Sequence, residues 1–197
     1  MSAYRLQVDA FAPAYLKTLR AEILRSRYFT VNTLNKDFVQ TRGFSVVFRR
    51  DTIDRVTREL PYFAPYLDRA LDADCNGFYL NPLQLVAGSR VDPHIDRSLR
   101  AYFARIGTPS FVSVLYVEVP PAMQGGELVL RRGPKHLGRI APKQNTLVTF
   151  EGDLMHSVER VQSAGSRLSL VCEQYRLTPE ELERIPEYAV ESRARYA

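Results

Sequence analysis

A chain of 197 residues with 45% hydrophobic positions can bury one sizeable core, and 1–197 reads as a single domain. The formal charge is +5, but basic residues are interspersed with acidic ones, as in FRRDTIDRVTREL, so a nucleic-acid partner is not expected. MSAYRLQVDAFAPAY lacks a basic leader followed by an apolar run, no stretch approaches a bilayer span, and Cys75 and Cys172 stand too far apart for a zinc knuckle or redox pair; these features predict a reducing, cytoplasmic location and no membrane partner.

Residues 1–76 read as a largely helical support region. In APAYLKTLRAEILRS, Leu16, Leu19, Ile23 and Leu24 fall on one side of an amphipathic helix. GFSVVFRR resembles a strand. DTIDRVTRELPYFAPYLDRAL reads as helix, with Asp51 as its cap and interruptions at Pro61 and Pro65. The texture changes at Gly77. Over 77–176 the segments FYLNPLQLVAG, FVSVLYVEV, GELVLRR, NTLVTFEG and SRLSLVCEQYR are short, rich in Val, Leu and Tyr, and separated by Gly or Pro. They predict a mainly β core, an antiparallel sandwich or barrel with helices packed outside. Residues 177–197 read as a C-terminal helix and tail, with Thr178, Pro179 and Glu181 forming a capped start.

Chemistry can be sought first at RVDPHIDRSLR, which holds His94, one of three histidines, two residues before Asp96. On extended backbone this spacing sends both side chains to the same side, where nitrogen and oxygen can converge on one ion. A loop hydrogen bond explains most isolated His-x-Asp triplets equally well. His156 in LMHSV is the leading third ligand, with His136 as its rival; two histidines and one carboxylate suit non-haem Fe(II) and leave coordination positions open. In SRLSL, alternation places Arg167 and Ser169 on one face, able to meet a carboxylate inside a β cavity. The competing reading is a rim arginine paired with an acid.

The ordered set HID, GGEL, His156 and RLS, spanning roughly Phe78 to Gln174, resembles the 2-oxoglutarate and Fe(II)-dependent oxygenases, and especially their prolyl-hydroxylase-like branch. The resemblance implies a double-stranded β-helix, the cupin-like jelly roll. It implies His94, Asp96 and His156 as catalytic Fe(II) ligands, and Arg167, Ser169 and Tyr116 as the grip on the remote carboxylate of the cosubstrate 2-oxoglutarate. Dioxygen is the remaining reactant, and His136 falls to the surface. Many related prolyl hydroxylases carry lysine where Arg167 stands, and nothing in the motifs identifies the prime substrate.

The implied activity is hydroxylation of an unactivated C–H bond in a small amino-acid-like or biosynthetic molecule, with release of succinate and CO2. A peptide or protein side chain, proline included, is the alternative substrate, and a non-catalytic binding module of the cupin type is the alternative function. Tyr79, Tyr102 and Arg97 are the candidate substrate contacts, and SLRAYFARIGTPS a candidate rim or lid.

Overall fold

In the computed structural model, which describes residues 2–32 and 37–193, antiparallel strands dominate and a few helices cover one side. Period-two alternation decides what each strand buries. On β6 (Phe111–Glu118), Leu115 and Val117 join the core beneath the helices, while Val112, Val114 and Tyr116 point into the barrel. On β11 (Ser166–Tyr175), Leu168, Leu170 and Cys172 take the helix side, and Arg167, Ser169, Val171 and Glu173 line the interior. Both faces of these strands are covered, which is why their sequences read as nearly continuous apolar runs.

The longest strand, β5 (Gly77–His94), organises the rest. Its first part pairs with β11 from Gly77↔Tyr175 to Val86↔Ser166. Its last residues pair instead with β10 (Met155–Val158), placing His94 opposite His156. Between the two stretches lies Gly88, with φ of +88°, a conformation that glycine adopts without steric penalty. The bend is held by the Gly88 N–H donating to Val161 O (2.8 Å) and the Ser89 hydroxyl donating to Gln40 O (2.6 Å). One strand thereby serves both walls of a curled sheet. With β1 (Tyr4–Gln7), β7 (Leu128–Arg132), β8 (Lys135–Ile140) and β9 (Leu147–Glu151), the main path runs β1-β9-β6-β11-β5-β10-β7-β8. This is the expected jelly roll.

The first 76 residues are less purely helical than their pattern predicts. Besides GFSVVFRR, seen as β4 (Ser45–Arg49), they contribute β1, β2 (Thr30–Asn32) and β3 (Phe38–Gly43), and both β3 and β4 pair with β5. Helix α1 (Pro13–Arg25) buries Leu16, Leu19 and Ile23 as expected, and Arg20 pairs with Glu118 of β6 at 2.7 Å. Asp51 does not cap a helix. It lies inside a 3-10 turn, Arg50–Thr52, that precedes α2 (Ile53–Glu59). Pro61 ends that helix by opening a second 3-10 turn, whereas Pro65 sits in the first turn of α3 (Ala64–Ala70), where a missing N–H breaks no helical bond. The Tyr66 hydroxyl meets Ser113 Oγ at 2.9 Å, tying α3 to the sheet.

Helix α4 (Pro179–Arg184) has the expected capping box of Thr178 with Glu181. The chain beyond it forms β12 (Tyr188–Glu191), a strand added to β4 that the sequence pattern does not announce. Both cysteines are buried and free. Among the described residues, no helix is long and apolar enough to cross a membrane.

Leu170 is fully buried between sheet and helices, so Leu170→Ala is expected to cost about 2–5 kcal/mol in urea unfolding followed by far-UV circular dichroism. Leu6→Ala, at a position 51% exposed, should stay within about 0.5 kcal/mol.

Candidate functional site

Antiparallel pairing of His94 with His156 sets two imidazoles side by side, their ring centroids 4.3 Å apart. Asp96 lies two residues past the end of β5, and its carboxylate falls between the rings. His94 Nε2 lies 3.3 Å from Asp96 Oδ1, and His156 Nε2 3.3 Å from Oδ2. One ligand atom from each residue falls within 4.8 Å of the others, so these three side chains could hold a metal ion.

The outer nitrogens prepare the rings for that role. Nδ1 of His94 meets Asp92 O at 2.8 Å, and Nδ1 of His156 meets Leu154 O at 3.1 Å. A carbonyl only accepts, so each Nδ1 carries the proton and each Nε2 presents its lone pair inward. Phe38 packs edge-on against His94 and Phe150 against His156, holding the ring planes. Burial alone would raise the Asp96 carboxyl, but His156 and His94 outweigh it and keep the group below the usual carboxylate range. At His94 burial works against the charged ring, and the hydrogen bond and charge of Asp96 overcome it, raising the group.

Deeper between the walls lies a second set of polar atoms. Ser169 stands opposite Tyr116 in the β11–β6 register, and Arg167 lies two residues away on the same face. Tyr116 Oη, Ser169 Oγ and Arg167 Nε are buried without a hydrogen-bond partner among the described residues. Arg167 Nη1 donates to Gly126 O at 2.5 Å, and its guanidinium stands 5.3 Å from the Tyr116 ring centroid. Gly126, at φ +75°, permits this approach: a Cβ there would fall 3.3 Å from Arg167 Nη1. Burial pushes the guanidinium down from its ordinary value and the Tyr116 hydroxyl up. No acid among the described residues pairs with Arg167, which removes the rim-arginine alternative. A buried cation is strongly unfavourable without an anion beside it. Val112, Val114, Leu128, Val158 and Val171 complete the wall of this narrow cleft, which runs to the His–Asp–His cluster.

On the other side of the cluster a cavity of about 180 Å³ opens outward, lined by residues that include Tyr79, Asn81, Arg97, Ser98 and Glu173. Tyr79 and Arg97 therefore occupy the expected region. Tyr102 does not line it: its ring packs with the cluster around Tyr79, Leu99 and Ile106, and its hydroxyl donates to Glu191. SLRAYFARIGTPS is in turn anchored by buried Leu99 and Ile106, and is a packed rim. Its neighbouring arginines are engaged elsewhere, Arg90 with Asp92, Arg100 with Ile106 O and Arg105 with Glu180. His136 is exposed on β8. Asn81 and Glu173 were missed by motif reading; extending the Arg167–Ser169 alternation by two more steps along β11 reaches Glu173.

Residues 80–172 match the family model described as the 2OG-Fe(II) oxygenase superfamily. No curated protein sequence matches the chain. Among solved structures, a prolyl-4-hydroxylase from Pseudomonas putida is 17% identical with a TM-score of 0.62, covering 90% of this chain and 95% of its own. A prolyl hydroxylase from Trichoplax adhaerens, in complex with a hypoxia inducible factor oxygen degradation domain peptide fragment, is 12% identical with a TM-score of 0.60, covering 93% and 87%. HygX from Streptomyces hygroscopicus, with nickel, 2-oxoglutarate and hygromycin B bound, is 13% identical with a TM-score of 0.54, covering 87% and 82%.

Glu173 gives the site a pH signature. Burial and the charge of Asp96 push its carboxyl up to about 8 from the ordinary 4.5, against the hydrogen bonds of Ser98 and Tyr175. A folded value above the unfolded one means stability that is full below about pH 4.5 and is lost as pH rises toward 8. In thermal unfolding of metal-free protein between pH 5 and 8, the melting temperature of Glu173→Gln should therefore rise relative to wild type as pH increases.

Proposed function

With residues 80–172 matching the 2OG-Fe(II) oxygenase superfamily, the chain is a Fe(II)/2-oxoglutarate-dependent oxygenase, and we propose that it hydroxylates an unactivated C–H bond of a small amino-acid-like or biosynthetic substrate. The observation that carries the site assignment is the convergence on one continuous cleft of buried polar atoms that make no hydrogen bond among the described residues: His94 Nε2 and Asp96 Oδ2 at one end, Tyr116 Oη, Ser169 Oγ and Arg167 Nε at the other. In this reading His94, Asp96 and His156 are the Fe(II) ligands. Arg167 binds the remote carboxylate of 2-oxoglutarate, with Ser169 and Tyr116 supplying hydroxyls to the same oxygens.

The donor set fits both groups. Two neutral imidazoles and one carboxylate on one side of an ion suit Fe(II) and leave positions for reactants. A planar guanidinium suits a carboxylate. When bound, Fe(II), 2-oxoglutarate and dioxygen supply the oxidation, in which the 2-oxo acid loses CO2 to become succinate and the substrate C–H bond becomes C–OH. The chain's own part is placement. The carbonyls of Asp92 and Leu154 hold the imidazole protons outward, the valine-lined wall keeps water from the cleft, and Arg167 fixes the far end of the cosubstrate.

A substrate of amino-acid size is supported by the outer cavity, whose 180 Å³ slightly exceeds the roughly 150 Å³ of an engineered cavity that admits benzene. The same space accepts one side chain of a peptide, and the peptide bound to the Trichoplax adhaerens enzyme favours that second reading, just as the hygromycin B bound to HygX favours the first. We further propose that 1–197 act as one domain, supported by a core cluster shared between α1–α3 and the sheet. Two free, buried thiols agree with a reducing cytoplasm, the location we propose.

Loss of an outer-shell partner typically weakens metal binding about 10–100-fold, so Asp96→Ala, which removes a ligand, should weaken Fe(II) binding by more than about 100-fold while the circular dichroism spectrum stays native. Arg167→Met should abolish the visible charge-transfer band that 2-oxoglutarate gives with bound Fe(II) under anaerobic conditions, with folding stability equal to wild type or higher because a buried unpaired charge has been removed. Folded, Fe(II)-loaded wild type that gives neither this band nor succinate would overturn the assignment.

A further inference from the structure

Alternation on β11 does not stop at the residues assigned to the cosubstrate. Arg167, Ser169, Val171 and Glu173 form one inward row, and Glu173 ends it in the outer cavity. Its side chain is buried, with the residue only 3% exposed. Three donors address its carboxylate: the Ser98 N–H at 3.1 Å, the Ser98 hydroxyl and the Tyr175 hydroxyl. All three are neutral, and no cation among the described residues forms an ion pair with it. Donors of this kind orient the group without supplying a countercharge, so its ionised form is uncompensated until a cation stands beside it.

The adjoining polar groups have the same character. Across the β11–β5 pairing, Glu173 faces Tyr79 and Val171 faces Asn81. Asn81, oriented so that its amide nitrogen donates to Pro82 O (2.9 Å) and Phe44 O (3.3 Å), presents its oxygen as an acceptor. Asp96 closes the inner end of the same cavity. Acceptors and carboxylates thus dominate the interior. Apart from the His94 ring, the opposite sign appears among the described lining residues only at Arg97, whose exposed guanidinium has no hydrogen bond or ion pair among the described residues.

We propose that the outer cavity is a cation site, in which Glu173 receives a primary ammonium or guanidinium group of the prime substrate while Arg97 meets a carboxylate or other anionic group of the same molecule. The proposal rests on the oxygenase reading and narrows its substrate to the basic amino-acid type. Glu173 acts in binding and selectivity, apart from the oxidation itself. The same chemistry can reach the cavity from a free amino acid or from a lysine or arginine side chain of a peptide.

The test is perturbation of the anaerobic Fe(II)–2-oxoglutarate charge-transfer band by added probes. L-arginine is compared with its neutral analogue L-citrulline, L-lysine with L-norleucine, and each free amino acid with its N-acetyl amide. Charge-assisted hydrogen bonds predict that wild type responds to a cationic probe at a concentration about 10-fold or more below that for its neutral analogue. Glu173→Gln should keep the band and lose that preference. A response confined to the free amino acids identifies a small-molecule substrate that also needs Arg97, and a response to the N-acetyl amides identifies a side chain on a peptide; either supports the cation site.

The wild-type comparison of arginine with citrulline stands even where Glu173→Gln does not fold. An equal or stronger response to the neutral analogues, no response to any cationic probe, or an undiminished preference in Glu173→Gln overturns the proposal while leaving the oxygenase reading intact. Absence of the band in wild type overturns both.

Discussion

The site depends on one strand serving two walls. Because β5 bends at Gly88, its first part pairs with β11 and its last residues with β10, and the cavity between the walls exists only because the same backbone closes both. The register of the β5–β10 pair sets His94 against His156, and Asp96, two residues further on, reaches both rings. The register of β11 against β6 brings Ser169 to Tyr116. The β11 pairings are specified by an apolar outer face that must remain under the helices, so Arg167 and Ser169 are positioned by the burial of side chains on the opposite side of the strand.

The interior is organised at a cost to stability. Among the described residues, a buried guanidinium has no acid beside it, two hydroxyls have no hydrogen-bond partner and a buried carboxyl group has no cation, each unfavourable relative to apolar packing. The large apolar clusters offset this: Leu19, Ile23, Phe48, Phe78, Leu80 and Leu170 are fully buried on the helix side. The division of labour follows the pleat, with one face of β11 supplying cohesion and the other holding groups that await ligands.

Much of this was legible in the sequence because it rests on short spacings. His94 with Asp96, and Arg167 with Ser169, are two residues apart, and extended backbone makes that spacing a statement about a shared side. Other parts depend on context. Gly88 closes the run FYLNPLQLVAG, yet β5 continues through it to His94, since tertiary pairing overrides local preference. β1 is too short and exposed, and β12 too isolated after a helix, for periodicity to mark them as strands. Tyr102 illustrates the ambiguity of an aromatic residue on a rim, which packs downward as readily as it lines a pocket. Glu173 was hidden for the opposite reason: a glutamate is ordinarily taken for surface, and only its place in the inward row of β11 marks it as buried.

That row also gives the cavity an electrical direction. Six residue-to-residue steps of extended chain span roughly 20 Å, with a guanidinium at one end, Val171 between and a carboxyl group at the other. A dianionic cosubstrate and a cationic guest would be drawn to opposite poles of the same passage, so neither competes for the other's seat. A single-residue insertion between the two poles would put them on opposite faces of the strand. Their shared side depends on an even spacing, so the strand tolerates changes of residue far better than changes of length.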